Sequence, residues 1–123
     1  MAQKDEQLLL KDLCARLSYG VKVQYNNEIY NIDYISALYM EVKLDIPANY
    51  TIGIFEIKPY LRPMSSMTEE EEKEFNKVVY DSIDIDNISP CVCVANWLYS
   101  KYFDVYGLIP KGLALEAPEG MYN

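Results

Sequence analysis

Histidine is absent from this 123-residue chain, and the absence excludes a good deal of chemistry. Imidazole is the one side chain whose ordinary pKa lies near neutrality, so Ser-His and Cys-His activation of a nucleophile are both out of reach. Basic residues are also scarce: 11 Lys and Arg stand against 19 Asp and Glu, a formal charge of -8. A chain of that sign is repelled by phosphate backbones and anionic lipid, which argues against direct nucleic-acid binding and against docking on a membrane surface. Cysteine is limited to Cys14, Cys91 and Cys93. An odd number with a C-x-C pair makes no disulfide framework and a poor zinc set, since structural zinc wants four N/S ligands. The three read as buried free thiols.

Long apolar runs are missing too. Nothing approaches the ~20 residues of a membrane span, and Lys4, Asp5 and Glu6 lead into a run of only three leucines, too short for a signal-peptide core. A reducing cytoplasm is the expected compartment. No internal repeat, low-complexity tract or linker breaks the chain, and half of it is apolar, so residues 1–123 are expected to form a single domain.

What is present reads as an α+β fold. Leu10, Leu13, Cys14 and Leu17 fall at helical spacing within Gln3 to Ser18, and Gly20 is placed to close that helix in the left-handed conformation. The period then changes to two. Val21, Val23 and Tyr25 alternate with polar residues, Asn26-Asn27 supplies turn chemistry, and Tyr30, Ile32 and Tyr34 alternate in their turn, which predicts a hairpin. Leu38, Met40, Val42 and Leu44 predict a third strand, and the apolar segment Tyr50 to Ile57 a fourth. Four sequential strands after a helix suggest an antiparallel meander or a small SH3-like partial barrel.

Pro59 and Pro63 bracket the next stretch and hold it extended, so that it is not expected as a central strand. Thr68 and Glu71 have capping-box spacing, and the acidic run Glu69 to Glu72 complements a helix N-terminus. That helix is expected to reach about Tyr80 and to bury Phe75, Val78 and Val79. Asp81 to Asn87 reads as a polar connection whose Asp84 and Asp86 lack the glycine and glutamate of a calcium loop. Ser89-Pro90 suits the start of a last helix through Val92, Ala95, Leu98, Tyr99 and Tyr102, although Cys91 to Val94 also fits a short strand. The tail after Gly107 has too many Pro and Gly for a long helix, yet Leu108, Ile109, Leu113, Leu115 and Met121 should pack it over the domain.

Paired carboxylates are the one acid-base chemistry left, and no spacing selects two of them. Neither a Walker loop, a dinucleotide fingerprint nor a nucleophile elbow is present, so no cofactor, no metal and no catalytic residue is indicated. A binding role is expected instead. The densest group of polar side chains is Lys58, Tyr60, Arg62, Ser65 and Ser66, where two cations, a ring and two hydroxyls on a stiff segment suit a small anionic, nucleotide-like ligand. Against this, Arg62 can simply neutralise nearby glutamates. The other reading is a protein-protein interface built from the acidic surface and the 12 tyrosines, directed at a basic partner. An open sheet edge also offers a route to homo-oligomerisation.

Three stretches carry a resemblance: LLLKDLCARLSYGVKV, IKPYLRPMSSMTEEEEKEF and WLYSKYFDVYGLIPKGLALEAPEGMYN. Together they resemble a family of short proteins from gut Bacteroidales, their phages and mobile elements. The resemblance implies an accessory or counter-defence setting, with a host component as the target, and implies no particular activity. Relatives tend to have proline in place of Ser18, and an Asn/His-containing stretch followed by Asp-Tyr-Arg-Gly where this chain has Tyr99 to Tyr102 and then Asp104 to Gly107. No role of that arginine or histidine carries over.

Overall fold

The computed structural model describes residues 2–47, 50–83 and 90–122. A first helix, α1 (Ala2–Arg16), ends in a 3-10 turn (Leu17–Tyr19). Gly20 then takes φ +79°, and its amide donates to the Leu17 carbonyl, the left-handed closure that its lack of a side chain permits. The helix buries Leu9 and Leu13, and with them Asp12 and Arg16. Expected from hydropathy was a stripe through Leu10, Cys14 and Leu17. Leu10 is instead half-buried, while Cys14 and Leu17 are exposed, so that thiol is not the buried one foreseen. The true stripe includes a paired acid and base, which hydropathy assigns to solvent.

Six strands follow: β1 (Lys22–Tyr25), β2 (Glu28–Ser36), β3 (Glu41–Leu44), β4 (Ile52–Gly53), β5 (Lys58–Leu61) and β6 (Leu115–Glu116). They form one sheet in the order β4-β3-β2-β1-β5-β6. The first four are the expected meander, and every pairing is antiparallel except β5 with β6. Asn26 and Asn27 turn the first hairpin with φ of +50° and +64°, the paired positive angles of a two-residue turn that matches strand twist.

Four expected strands become six for identifiable reasons. The fourth shrinks to Ile52–Gly53 because a 3-10 turn (Ile54–Glu56) follows at once, held by Glu56 accepting the Gly53 amide. Lys58–Leu61, ruled out above as a central strand, lies inside the sheet. It pairs with β1 through Lys58 and Pro59 and with β6 through Tyr60 and Leu61, so Pro59 is paired on one side only, as in an edge strand. The sixth strand forms where the tail returns. In β2, Ile32 stands opposite Leu44 and Tyr34 opposite Lys43, leaving Asp33 as the extra residue of a bulge. The bulge reverses the parity, so Tyr34, expected to share a face with Tyr30 and Ile32, is 51% exposed.

Leu9 and Leu13 of α1 share one core with Val23, Val42, Leu44 and Leu61 of the sheet and with Val21 and Ile57 just before β1 and β5. Each such side chain contributes roughly 1.5–3 kcal/mol on burial. Two later helices, α2 (Glu69–Ile83) and α3 (Pro90–Ser100), pack on each other. Cys91 to Val94 belong to α3, which settles helix over strand; Asp84–Ser89 lie outside the described residues. Phe75 and Val78 are half-buried as foreseen in kind, but Val79 is 37% exposed. The last helix stops at Ser100, and Tyr102 is its left-handed closing residue with φ +66°. Its amide donates to the Tyr99 carbonyl and that of Phe103 to the Leu98 carbonyl, the paired bonds of a Schellman ending. Among the described residues no helix is long and apolar enough to cross a membrane.

Candidate functional site

The segment after β5 was expected to carry the site, and its local structure follows from its two prolines and the helix that begins behind it. Thr68 Oγ1 accepts from the Glu71 amide at 3.1 Å while Glu71 Oε1 accepts from the Thr68 amide at 3.1 Å, completing the capping box. The same carboxylate receives Arg62 through two bonds, Nη1 to Oε2 at 2.7 Å and Nη2 to Oε1 at 2.6 Å. Arg62 also donates to the Ser66 carbonyl at 3.3 Å and the Lys101 carbonyl at 3.5 Å, and its guanidinium lies 4.3 Å from the centre of the Phe103 ring. This pairing holds the Glu71 carboxyl at about 2, well below its ordinary value, chiefly through the Arg62 hydrogen bonds.

Arg62 is therefore a brace between β5, the start of α2 and the end of α3. The backbone repeats the connection: its amide donates to the Tyr102 carbonyl at 2.7 Å, and its carbonyl accepts from the Asp104 amide at 2.8 Å. Of the other expected site residues, Lys58 is exposed on β5 and Tyr60 is buried. Ser65 and Ser66 are exposed in a 3-10 turn (Met64–Ser66), where Ser66 Oγ donates to the Pro63 carbonyl at 2.7 Å.

Opposite this segment runs the C-terminal tail. The Ala117 amide donates to the Leu61 carbonyl at 2.7 Å. Further on, Tyr122 is anchored by its hydroxyl, which accepts from the Lys22 amide at 3.0 Å and donates to the Tyr60 carbonyl at 2.7 Å. Its ring stacks on Tyr102 at 3.7 Å and 6°, and Tyr102 in turn donates its hydroxyl to the Tyr19 carbonyl. Burial pushes the Tyr122 phenol up to about 12.

Between segment and tail lies a cleft of about 500 Å³, walled by Arg62, Pro63, Ser66, Thr68 and Glu71 on one side and by residues 117–122 on the other. Of the expected site residues it brings together Arg62 and Ser66, and it leaves Lys58, Tyr60 and Ser65 outside. Its second carboxylate, Glu119, and its aromatic wall, Tyr122, had no local signal in sequence, because a tail contributes to a site only through its long-range return.

A second surface lies across the sheet, at the β2–β3 hairpin. Residues 37–40 form its turn, which puts Leu38 at 82% and Tyr39 at 71% exposure. Met40 takes φ +53°, and its carbonyl accepts from the Ile54 amide at 3.0 Å, bringing the turn that carries Phe55 and Glu56 alongside. Phe55 is 44% exposed. Leu38 and Met40 were expected inside a strand, since Ala-Leu-Tyr-Met offers none of the residues that usually announce a turn. Comparison with known proteins returns no matching family model, no matching curated protein and no matching solved structure.

Proposed function

We propose that the protein acts by binding another protein, presenting the tip of the β2–β3 hairpin to a partner with a basic surface. The observation that carries this reading is the pair Leu38 and Tyr39, standing almost fully in water at the end of a hairpin, with Phe55 and Tyr34 exposed nearby. Adjacent large apolar side chains on a surface loop are typical of contact surfaces. The rim is acidic: Glu41 and Glu56 flank the tip on β3 and the following turn, and Asp33, paired with Lys43 at 3.8 Å, lies in the bulge behind it. With an overall charge of -8, the field favours a basic partner and speeds its approach. In the mobile-element setting implied by the resemblance, that partner is a host protein and the effect is antagonism without turnover. Sequestration of a small anion has less support, because the donors of Arg62 are already taken by Glu71 and two carbonyls.

The test is affinity capture from host lysate at low and high salt, wild type beside Leu38→Ser/Tyr39→Ser. A basic protein should be enriched by wild type, fall about tenfold with the double variant, and weaken as salt rises. Capture that is equal for both forms, or of an acidic partner, removes the proposal.

A further inference from the structure

The cleft between the Arg62 segment and the tail has a chemistry of its own, separate from the hairpin tip. Its volume of about 500 Å³ falls in the range of small-molecule sites. The cation in its wall, Arg62, is neutralised by the bidentate bond to Glu71. Displacing that carboxylate would cost more than an ion pair, because Glu71 also caps α2 through the Thr68 amide. An anion therefore finds no open guanidinium fork here. Glu119, by contrast, is exposed in the opposite wall and, among the described residues, takes part in no hydrogen bond or ion pair. The lining is thus net negative by one charge. Around it stand apolar and aromatic surfaces from Pro118, Met121 and Tyr122.

We propose that this cleft binds an organic cation, an amine or guanidinium on a short apolar stem, with its charge at Glu119 and its stem against Pro118, Met121 and Tyr122. Lysine and arginine side chains and free polyamine-like molecules share that chemistry. The carboxylate supplies the charge partner, and the apolar wall favours a stem over a bare ion.

The test titrates the full chain with agmatine, with N-acetyl-lysine methylamide as a blocked side-chain mimic, and with inorganic phosphate, following backbone amide shifts by NMR. Both cations should move the amides of Glu119, Gly120 and Met121 and saturate, and Glu119→Gln should weaken binding roughly fivefold, the scale of one exposed charge pair. Glu119→Lys should abolish it. A second cleft, of about 540 Å³ beside Lys4, Asp5, Leu8 and Lys111, is the internal control. Agmatine shifts centred there, phosphate shifts at Gly120, or a Glu119→Gln affinity equal to wild type each overturn the proposal. Saturation by agmatine but not by the blocked mimic leaves the site standing for free amines and removes the side-chain class. Leu38→Ser/Tyr39→Ser should leave these titrations unchanged, so failure of the hairpin reading and failure of this one are seen separately.

Discussion

Replacing Asp12 by alanine should destabilise the fold more than any surface change, and the structure sets the size. Asp12 and Arg16 are both fully buried one helical turn apart. The carboxylate accepts from Arg16 Nε at 2.8 Å and Nη2 at 2.9 Å. Arg16 Nη2 also reaches the Phe103 carbonyl, its guanidinium lies 4.9 Å from the Tyr99 ring centre, and its Nη1 has no acceptor among the described residues. Without Asp12 the guanidinium stays buried with one carbonyl and a ring face. A broken buried pair of this kind costs about 3–5 kcal/mol, a large share of the roughly 5–15 kcal/mol available to a domain. The midpoint of thermal unfolding should fall by about 10–20 °C. Urea titration followed by Trp97 fluorescence gives the free energy directly. Asp12→Leu/Arg16→Met, which removes both charges and keeps the volume, should recover most of the loss. A cost below about 1 kcal/mol for Asp12→Ala, or a double variant no better than the single ones, would refute the reasoning, since it rests on the uncompensated charge and not on lost packing.

Glu71 predicts an acid transition. Its carboxyl is lowered from 4.5 to about 2 in the fold, so its contribution is complete above the unfolded value and is lost as pH falls through that window. After allowance for solvent screening it amounts to about 1–2 kcal/mol; urea midpoints should fall with acid more steeply in wild type than in Glu71→Gln, and parallel slopes would count against the pairing. Tyr122→Phe should cost about 1 kcal/mol through its hydroxyl bonds to Lys22 and Tyr60, while Tyr122→Leu should cost a further ~1 kcal/mol for the stack on Tyr102. Spectrophotometric titration of Tyr122→Phe should lack the phenol that ionises near 12 in wild type. Tyr102 sits at φ +66°, so Tyr102→Ala should be less stable by calorimetry than Tyr102→Gly by about 1 kcal/mol, even though both lose the stack; equality of the two would show that the backbone there is unstrained.

Local chemistry was legible wherever a short motif determines it. Asn26-Asn27 announced the hairpin turn, Gly20 the end of α1, and Thr68 with Glu71 the start of α2, because each of these depends on a few consecutive residues. What escaped was settled at long range. The inward stripe of α1 contains Asp12 and Arg16, which become apolar in effect only after pairing. Pro59 lies inside the sheet because β6 arrives from 55 residues downstream to pair with Tyr60 and Leu61 instead. Asp33 bulges and turns Tyr34 outward, an event invisible in a run that alternates cleanly. The expected site divided for the same reason. Lys58, Tyr60 and Arg62 share a parity on an extended strand, but Tyr60 is covered and Arg62 is claimed by a helix cap, so proximity in sequence did not become a common cradle.

The fate of the scarce cations bears on the proposed contact with a basic partner. Arg16 is buried against Asp12, Arg62 is clamped to Glu71, and Lys43 is turned onto the Leu44 and Ile46 carbonyls at 2.6 and 3.1 Å. The two arginine pairs each remove one acid and one base from the outer charge balance, so the charge of -8 remains but is carried by a surface with fewer cations to interrupt it. Lys43 also pairs with Asp33 at 3.8 Å, an ion pair whose carboxylate is more than half exposed. With both arginines paired off as structural braces, the long-range field is set by the net charge of -8. A basic partner would be drawn in by that field and held by the apolar tip, a division of labour in which charge sets the rate of encounter and desolvated side chains set the lifetime of the complex.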